Sequence, residues 1–243
     1  MQLSQFKALS FDCYGTLIDW EAGILEALEP LRKQAGISLD ELLEAYGPIE
    51  HEIEQAYPAL VYSQLLEKVH AVLSERFGVA ADRAEAAAFG ASVGDWPAFA
   101  DSAEALAYLK LHFKLVILSN VDRKSFAGSN RRLGVAFDAI LTAEQIGSYK
   151  PDPRNFEYLL ARVGEMGIAK GELLHVAQSL FHDHVPANDL GIASAWIDRR
   201  LDKPGAGATV LPEPLPHYDF RFASLGELAD AHQAERLDFK RTS

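Results

Sequence analysis

Five short apolar runs, each stopping at polar residues, constrain this 243-residue chain more than any other feature in it. They are "KALSF" (7–11), "KLVILSN" (114–120), "FDAILTA" (137–143), "LLHVAQS" (173–179) and "IASAWID" (192–198). A strand that is apolar at nearly every position, rather than at every second one, is covered on both faces. Between the runs lie amphipathic helical patterns. "DSAEALAYLKLHF" opens on an Asp or Ser cap, and "DPRNFEYLLARVG" has proline in its first turn and an apolar face of Phe156, Leu159, Leu160 and Val163. Strands and helices alternating in this way predict parallel βαβ units, an α/β fold with a doubly wound parallel sheet.

The rhythm breaks between residue 20 and about residue 96, where Ala-, Leu- and Glu-rich segments show 3- and 4-residue apolar spacing and no strand pattern. This stretch predicts an all-helical insertion after the first strand. The expected organisation is a core domain of residues 1–18 and 97–243 and a helical cap of residues 19–96. Residues 201–220, rich in Gly and Pro, read as a loop before a final strand and helix.

Composition narrows the function classes. With 23 basic against 35 acidic residues the net charge is −12, which argues against nucleic acid or an anionic membrane as a partner. The lone cysteine, Cys13, allows no internal disulfide and no thiolate zinc cage. The start "MQLSQFKALS" has no apolar stretch of signal-peptide length, and no run is long enough to span a bilayer. These features lead us to expect a cytoplasmic protein.

Parallel strands bring their C-terminal ends to one sheet edge, where ligands bind. That edge should gather Asp12, Ser119, Asn120, Lys150 and the stretch from Gln178 to Asp183. A carboxylate held near an ammonium favours its charged form and can serve as a nucleophile. The bland alternatives are a capping Asp12 and a solvated Lys150. His175, His182 and His184 beside Asp183 have the composition of a metal cluster. However, adjacent residues at a helix start face different ways and His175 lies inside a strand, so no metal is expected there. The acidic residues of the insertion read mostly as a solvated helix face, and Tyr46, Tyr57 and Tyr62 as packing.

The blocks "DCYGT", "LSN", "YKPD" and the aspartate that precedes "HVPANDLG", in this order and around a helical insertion, resemble the haloacid dehalogenase (HAD) superfamily over nearly the whole chain. The resemblance implies that Asp12 attacks the substrate and forms a covalent intermediate. Ser119, Asn120 and Lys150 match the second and third motifs, and Asp183 matches the fourth. Phosphatases of the superfamily use Mg²⁺ and an acid two places after the nucleophile. Here that place holds Tyr14, and the metal-ligand position of the fourth motif falls on Gln178, a weaker partner for a hard dication. "DxYGT" and "WIDR" (196–199) are instead similar to type II L-2-haloacid dehalogenases, which need no cofactor.

The resemblance then implies catalytic roles for Asp12, Lys150 and Asp183, and substrate-binding roles for Tyr14, Trp20, Ser119, Asn120, Gln178 and Ser179. The expected partners are a small carboxylic acid and water, with a homodimer possible. One departure is clear: no Lys or Arg lies between Lys33 and Lys68, where dehalogenases carry a halide-assisting arginine, and the nearest cation candidate is His51. The acidic insertion (Asp40, Glu41, Glu44, Glu50, Glu52, Glu54) is compatible with a cationic leaving group, as in azetidine-2-carboxylate hydrolases of the same superfamily. A HAD phosphatase and a non-catalytic HAD-like binding protein complete the alternatives.

Overall fold

The computed structural model describes residues 1–201 and 211–242. Residues 202–210 of the expected loop at 201–220 therefore lie outside the described residues. The five apolar runs form β1 (Ala8–Phe11), β2 (Lys114–Ser119), β3 (Ala139–Thr142), β4 (Leu173–Ala177) and β5 (Ala193–Ile197), and Phe220–Phe222 adds β6. All pair in parallel, in the order β3-β2-β1-β4-β5-β6.

Alternation along each strand sends its side chains into two separate apolar layers. Leu9, Phe11, Leu115, Ile117, Leu174 and Val176 join one cluster, while Ala8, Val116, Leu118 and Leu173 join another with Phe156, Leu159 and Val163. The larger cluster continues into Leu42, Tyr46, Leu65 and Leu66 of the inserted helices, so insertion and sheet share apolar packing.

The insertion comprises α1 (Trp20–Ala27), α2 (Glu29–Ala35), α3 (Leu39–Ala56), α4 (Tyr62–Arg76) and α5 (Arg83–Ser92). Helix α3 starts on a capping box in which Ser38 and Glu41 exchange hydrogen bonds. The rest of the core adds α6 (Ser102–Lys110), α7 (Arg123–Leu133), α8 (Ala143–Ile146), α9 (Pro153–Glu165), α10 (Val185–Asp189) and α11 (Leu225–Thr242). Among the described residues no helix is long and apolar enough to cross a membrane.

Register positions the site. Phe11 is aligned with Ile117 on one side and Val176 on the other, so Asp12, Leu118 and Ala177 come next in line at the edge. The order reverses between β1 and β4, which opens the ligand crevice of an open parallel sheet directly above Asp12. The chain then turns at once through Gly15, whose φ of +92° suits glycine, and a Cβ there would meet Trp20 Nε1 at 3.0 Å and Gln178 Oε1 at 3.2 Å.

Candidate active site

The floor of the crevice is built from three buried charges. Lys150 Nζ lies 2.9 Å from Asp12 Oδ1 and 2.7 Å from Asp183 Oδ1, and it also donates to the Leu118 carbonyl at 3.1 Å. Thr16 donates its hydroxyl to Asp12 Oδ2 at 2.8 Å and accepts from the Gln178 amide at 2.9 Å, locking the carboxylate to the neighbouring strand end. Behind this, Ser10 and His175 are register partners on the same sheet face. Their side chains meet at 2.8 Å, and His175 Nε2 reaches Asp183 Oδ1 at 2.9 Å.

The two carboxylates divide the ammonium unequally. Burial would raise both, yet the charge of Lys150 and the hydrogen bond from His175 hold Asp183 well below the usual carboxylate range. Asp12 is raised: burial outweighs the pull of Lys150, the Asp183 charge pushes the same way, and the hydrogen bonds of Lys150 and Thr16 only partly offset it. Burial alone would lower Lys150, but its two carboxylate partners hold it above the ordinary lysine range. The sequence expectation that Lys150 keeps Asp12 ionised is therefore refined. Lys150 favours the anion, and the pocket leaves it more basic than a free aspartate.

The opposite wall comes from the insertion. Gly47, Glu50, His51 and Glu54 sit at i, i+3, i+4 and i+7 on α3, a single helix stripe, and all four line the pocket. Tyr46 and Tyr62 donate to Glu50 Oε1 at 2.8 and 2.5 Å. Burial raises Glu50, and it raises Glu54 well above its usual value, with the Glu50 charge adding to the effect on Glu54. Most acidic residues of α3 do form a solvated face: Asp40, Glu41, Glu44 and Glu52 are exposed. Glu50 and Glu54 depart from that reading because their spacing turns them inward. The packing tyrosines Tyr46 and Tyr62 likewise become partners of a pocket carboxylate.

Every residue expected at the site lines this pocket: Asp12, Tyr14, Trp20, Ser119, Asn120, Lys150, Gln178, Ser179 and Asp183. Some of the surrounding polar groups are already engaged. Asn120 accepts from the Lys150 amide at 2.7 Å and donates to Glu54 Oε1 and the Lys150 carbonyl, both at 3.2 Å, so its amide ties the two walls together. At the start of α7, Ser125 N donates to Asp122 and Arg123 N to Glu144, so these two N–H groups are not open to substrate. Ser119 Oγ, by contrast, is buried with no partner and is available as a donor. Tyr14 turns its hydroxyl to Ser129 at 2.8 Å and packs its ring against Trp96.

A haloacid dehalogenase-like hydrolase profile matches residues 6–177, and Asp12, Lys150 and the strand ends around them lie inside that match. The chain belongs to the haloacid dehalogenase-like hydrolases.

Solved structures similar to this hydrolase include a defluorinating L-2-haloacid dehalogenase, with 19% identity over 96% of this chain and 98% of that one at a TM-score of 0.77. The L-2-haloacid dehalogenase of Xanthobacter autotrophicus with chloropropionic acid covalently bound has 19% identity over 94% and 98% at 0.76. A HAD-hydrolase of Bacillus subtilis bound to magnesium has 20% identity over 94% and 99% at 0.74. No curated protein matches the sequence.

Magnesium demands near-octahedral oxygen coordination. At the floor of this hydrolase each Asp12 oxygen already holds a donor, Asp183 Oδ1 holds two, and the neighbouring Gln178 is neutral. Asp183 Oδ2 is the buried carboxylate oxygen there without a partner. That donor set does not fit Mg²⁺.

Sequence reasoning missed Thr16, Ser10 and His175 as members of the floor. Thr16 is four residues from Asp12, a usable signal. The Ser10–His175 pairing depends on strand register. His184, set aside as a ligand, is held between Ser194 Oγ at 2.9 Å and the Ala177 carbonyl at 3.0 Å. His182 lines the pocket, where burial lowers it to about 4 and leaves it neutral near pH 7.

Proposed function

We propose that this hydrolase attacks carbon: the Asp12 carboxylate displaces a leaving group from the carbon next to a substrate carboxylate, as an (S)-2-haloacid dehalogenase. The observation that carries this reading is the Asp12–Lys150–Thr16 arrangement beside a Tyr14 whose hydroxyl is bound to Ser129, with no acid two places after the nucleophile. Displacement forms a C–O ester bond while halide departs with the C–X electron pair. Water then attacks the Asp12 carbonyl carbon, releasing 2-hydroxy acid and restoring the carboxylate. Asp183 Oδ2 accepts a hydrogen bond from that water, and Ser119 Oγ donates to the substrate carboxylate. A cavity of ≈ 80 Å³ suits a small acid. The covalently bound chloropropionic acid in the Xanthobacter neighbour supports the same course of reaction.

A second reading follows from the α3 wall, which carries Glu50 and Glu54 and no Lys or Arg. A protonated ring amine suits that wall better than a departing anion does. In L-azetidine-2-carboxylate, attack at the ring carbon bearing the carboxylate breaks the C–N bond. The nitrogen stays in the same molecule, and hydrolysis yields 2-hydroxy-4-aminobutyrate.

Single turnover in H₂¹⁸O tests the shared step. Label should enter Asp12 first and reach product in later turnovers, and Asp12→Asn should lose turnover by on the order of 10⁴-fold or more. Label found directly in the first product would exclude the ester. Halide release from 2-chloropropionate and fluoroacetate, set beside formation of 2-hydroxy-4-aminobutyrate from azetidine-2-carboxylate, decides between the leaving groups. Mg²⁺-dependent turnover of a generic phosphate ester would overturn both readings.

A further inference from the structure

His51, Glu54 and His182 face one another across the seam between α3 and the turn Leu180–His184, and none takes part in the dehalogenation steps above. Their ligating atoms all lie within 4.8 Å of one another. Among the described residues this is the one group of three His, Cys, Asp or Glu side chains that converges so closely. His51 Nδ1 and His182 Nε2 are both buried without a hydrogen-bond partner. Glu54 gives one oxygen to Asn120 and has the other 3.8 Å from His182 Nε2. Buried polar atoms without partners are rare, and several aimed at one point call for an occupant.

The outer ring of partners has the form that orients metal ligands. Each histidine anchors its second ring nitrogen: His51 Nε2 lies 2.9 Å from Gln55 Nε2, and His182 Nδ1 lies 3.2 Å from Ser179 Oγ. Ser179 Oγ accepting from His182 Nδ1 leaves His182 Nε2 a lone pair, while Gln55 Nε2 donates to His51 Nε2, so a metal at His51 Nδ1 requires the Gln55 amide to present its oxygen instead.

We propose that His51, Glu54 and His182 form a three-ligand site for a divalent transition-metal ion of the Zn²⁺ class that ties α3 to the turn after β4. Two imidazoles and one carboxylate suit such an ion, whereas Mg²⁺ and Ca²⁺ prefer oxygen alone. Tetrahedral ligands around Zn²⁺ stand about 3.4 Å apart, so the Glu54–His182 pair at 3.8 Å closes with a sub-ångström adjustment. The fourth position faces the pocket, open to water or to an anionic group. The ion supplies positive charge on a wall that has two buried carboxyl groups, and it does so apart from the Asp12 floor. A dication there suits an anionic leaving group and opposes a protonated ring amine on the same wall, so the proposal rests on the halide reading.

Calorimetric titration of ZnCl₂ into the full chain, stripped with chelator, tests it. One ion should bind per chain, with Mg²⁺ giving no heat at the site. His51→Ala and His182→Ala should each weaken Zn²⁺ by more than the roughly 10- to 100-fold typical of losing an outer-ring partner. Asp12→Asn should lose turnover yet keep its Zn²⁺ affinity, so failure of the metal site and failure of the covalent step are separately visible. Anomalous diffraction at the zinc edge on the unaltered protein should place the ion between the three side chains. No binding, an ion located elsewhere, or unchanged affinity in both histidine variants would overturn the proposal.

Discussion

The two walls of the pocket treat buried charge in opposite ways. On the sheet side Asp12 and Asp183 share Lys150, with Thr16 and His175 supplying further hydrogen bonds. On the α3 side Glu50 and Glu54 are held only by neutral donors, the hydroxyls of Tyr46 and Tyr62 and the amide of Asn120. Burying a carboxylate without a cation costs free energy and raises its pKa, as it does for both glutamates. The contrast separates two tasks. On the readings proposed above, the sheet side carries the chemistry, while the α3 side, whose carboxyl groups lack a cation, receives a positive charge from outside the chain.

The largest expected effect breaks the sheet side. Lys150→Met should destabilise the fold by about 3–5 kcal/mol, because it leaves two buried carboxylates without their cation. It should also abolish turnover, and denaturant unfolding with an activity assay measures both. A variant as stable as the parent would mean that the two walls do not differ in the way described.

Next comes pH. On the reading proposed above Asp12 attacks as the anion, and it is raised by burial, so kcat/KM should climb as pH rises through a value above the ordinary aspartate pKa of about 3.9. An acidic limb centred at or below that value would show that Lys150 prevails over burial.

A smaller change probes the second layer. His175→Gln should lower kcat by roughly ten-fold with little change in KM, and should shift the pH limb as Asp183 loses a donor worth about 1–3 kcal/mol. An unchanged pH profile would reduce His175 to packing.

The mildest variant sharpens the α3 side. A carboxyl whose folded pKa lies above its unfolded value stabilises the fold below the unfolded pKa, and that contribution is lost as pH rises through the folded one. With Glu54 raised, Glu54→Gln in the presence of chelator should raise Tm at pH 8, by about 2–4 °C for each kcal/mol recovered in a chain of this size. The gain should shrink toward pH 5. A lower Tm at pH 8 would mean that Glu54 finds compensation which its hydrogen bonds do not reveal.

Much of the sheet side was legible in the sequence. The apolar runs placed five strands, and a parallel sheet necessarily gathers the residues after them, so Asp12, Ser119, Asn120, Lys150 and Asp183 could be named together. The α3 side was only half legible. Its acidic residues were visible as a group, but the stripe of Gly47, Glu50, His51 and Glu54 lies at ordinary helical spacing, and polar residues at that spacing usually face water. Asn120 shows the same limit: it was placed at the site, yet its amide was already committed to Glu54 and Lys150.

What the sequence by itself determined is the α/β architecture, the helical insertion after the first strand and the identity of the floor, because strand order and burial follow from local patterns of apolar and polar residues. Only the tertiary structure decided which face of α3 looks inward, that Ser10 and His175 support Asp183, and that His51, Glu54 and His182 converge. The Ser10–His175 contact joins residues 165 positions apart, and the others fix one helix's rotation about its axis or bring it against the turn after β4. Both depend on packing against distant elements and leave no trace in local periodicity.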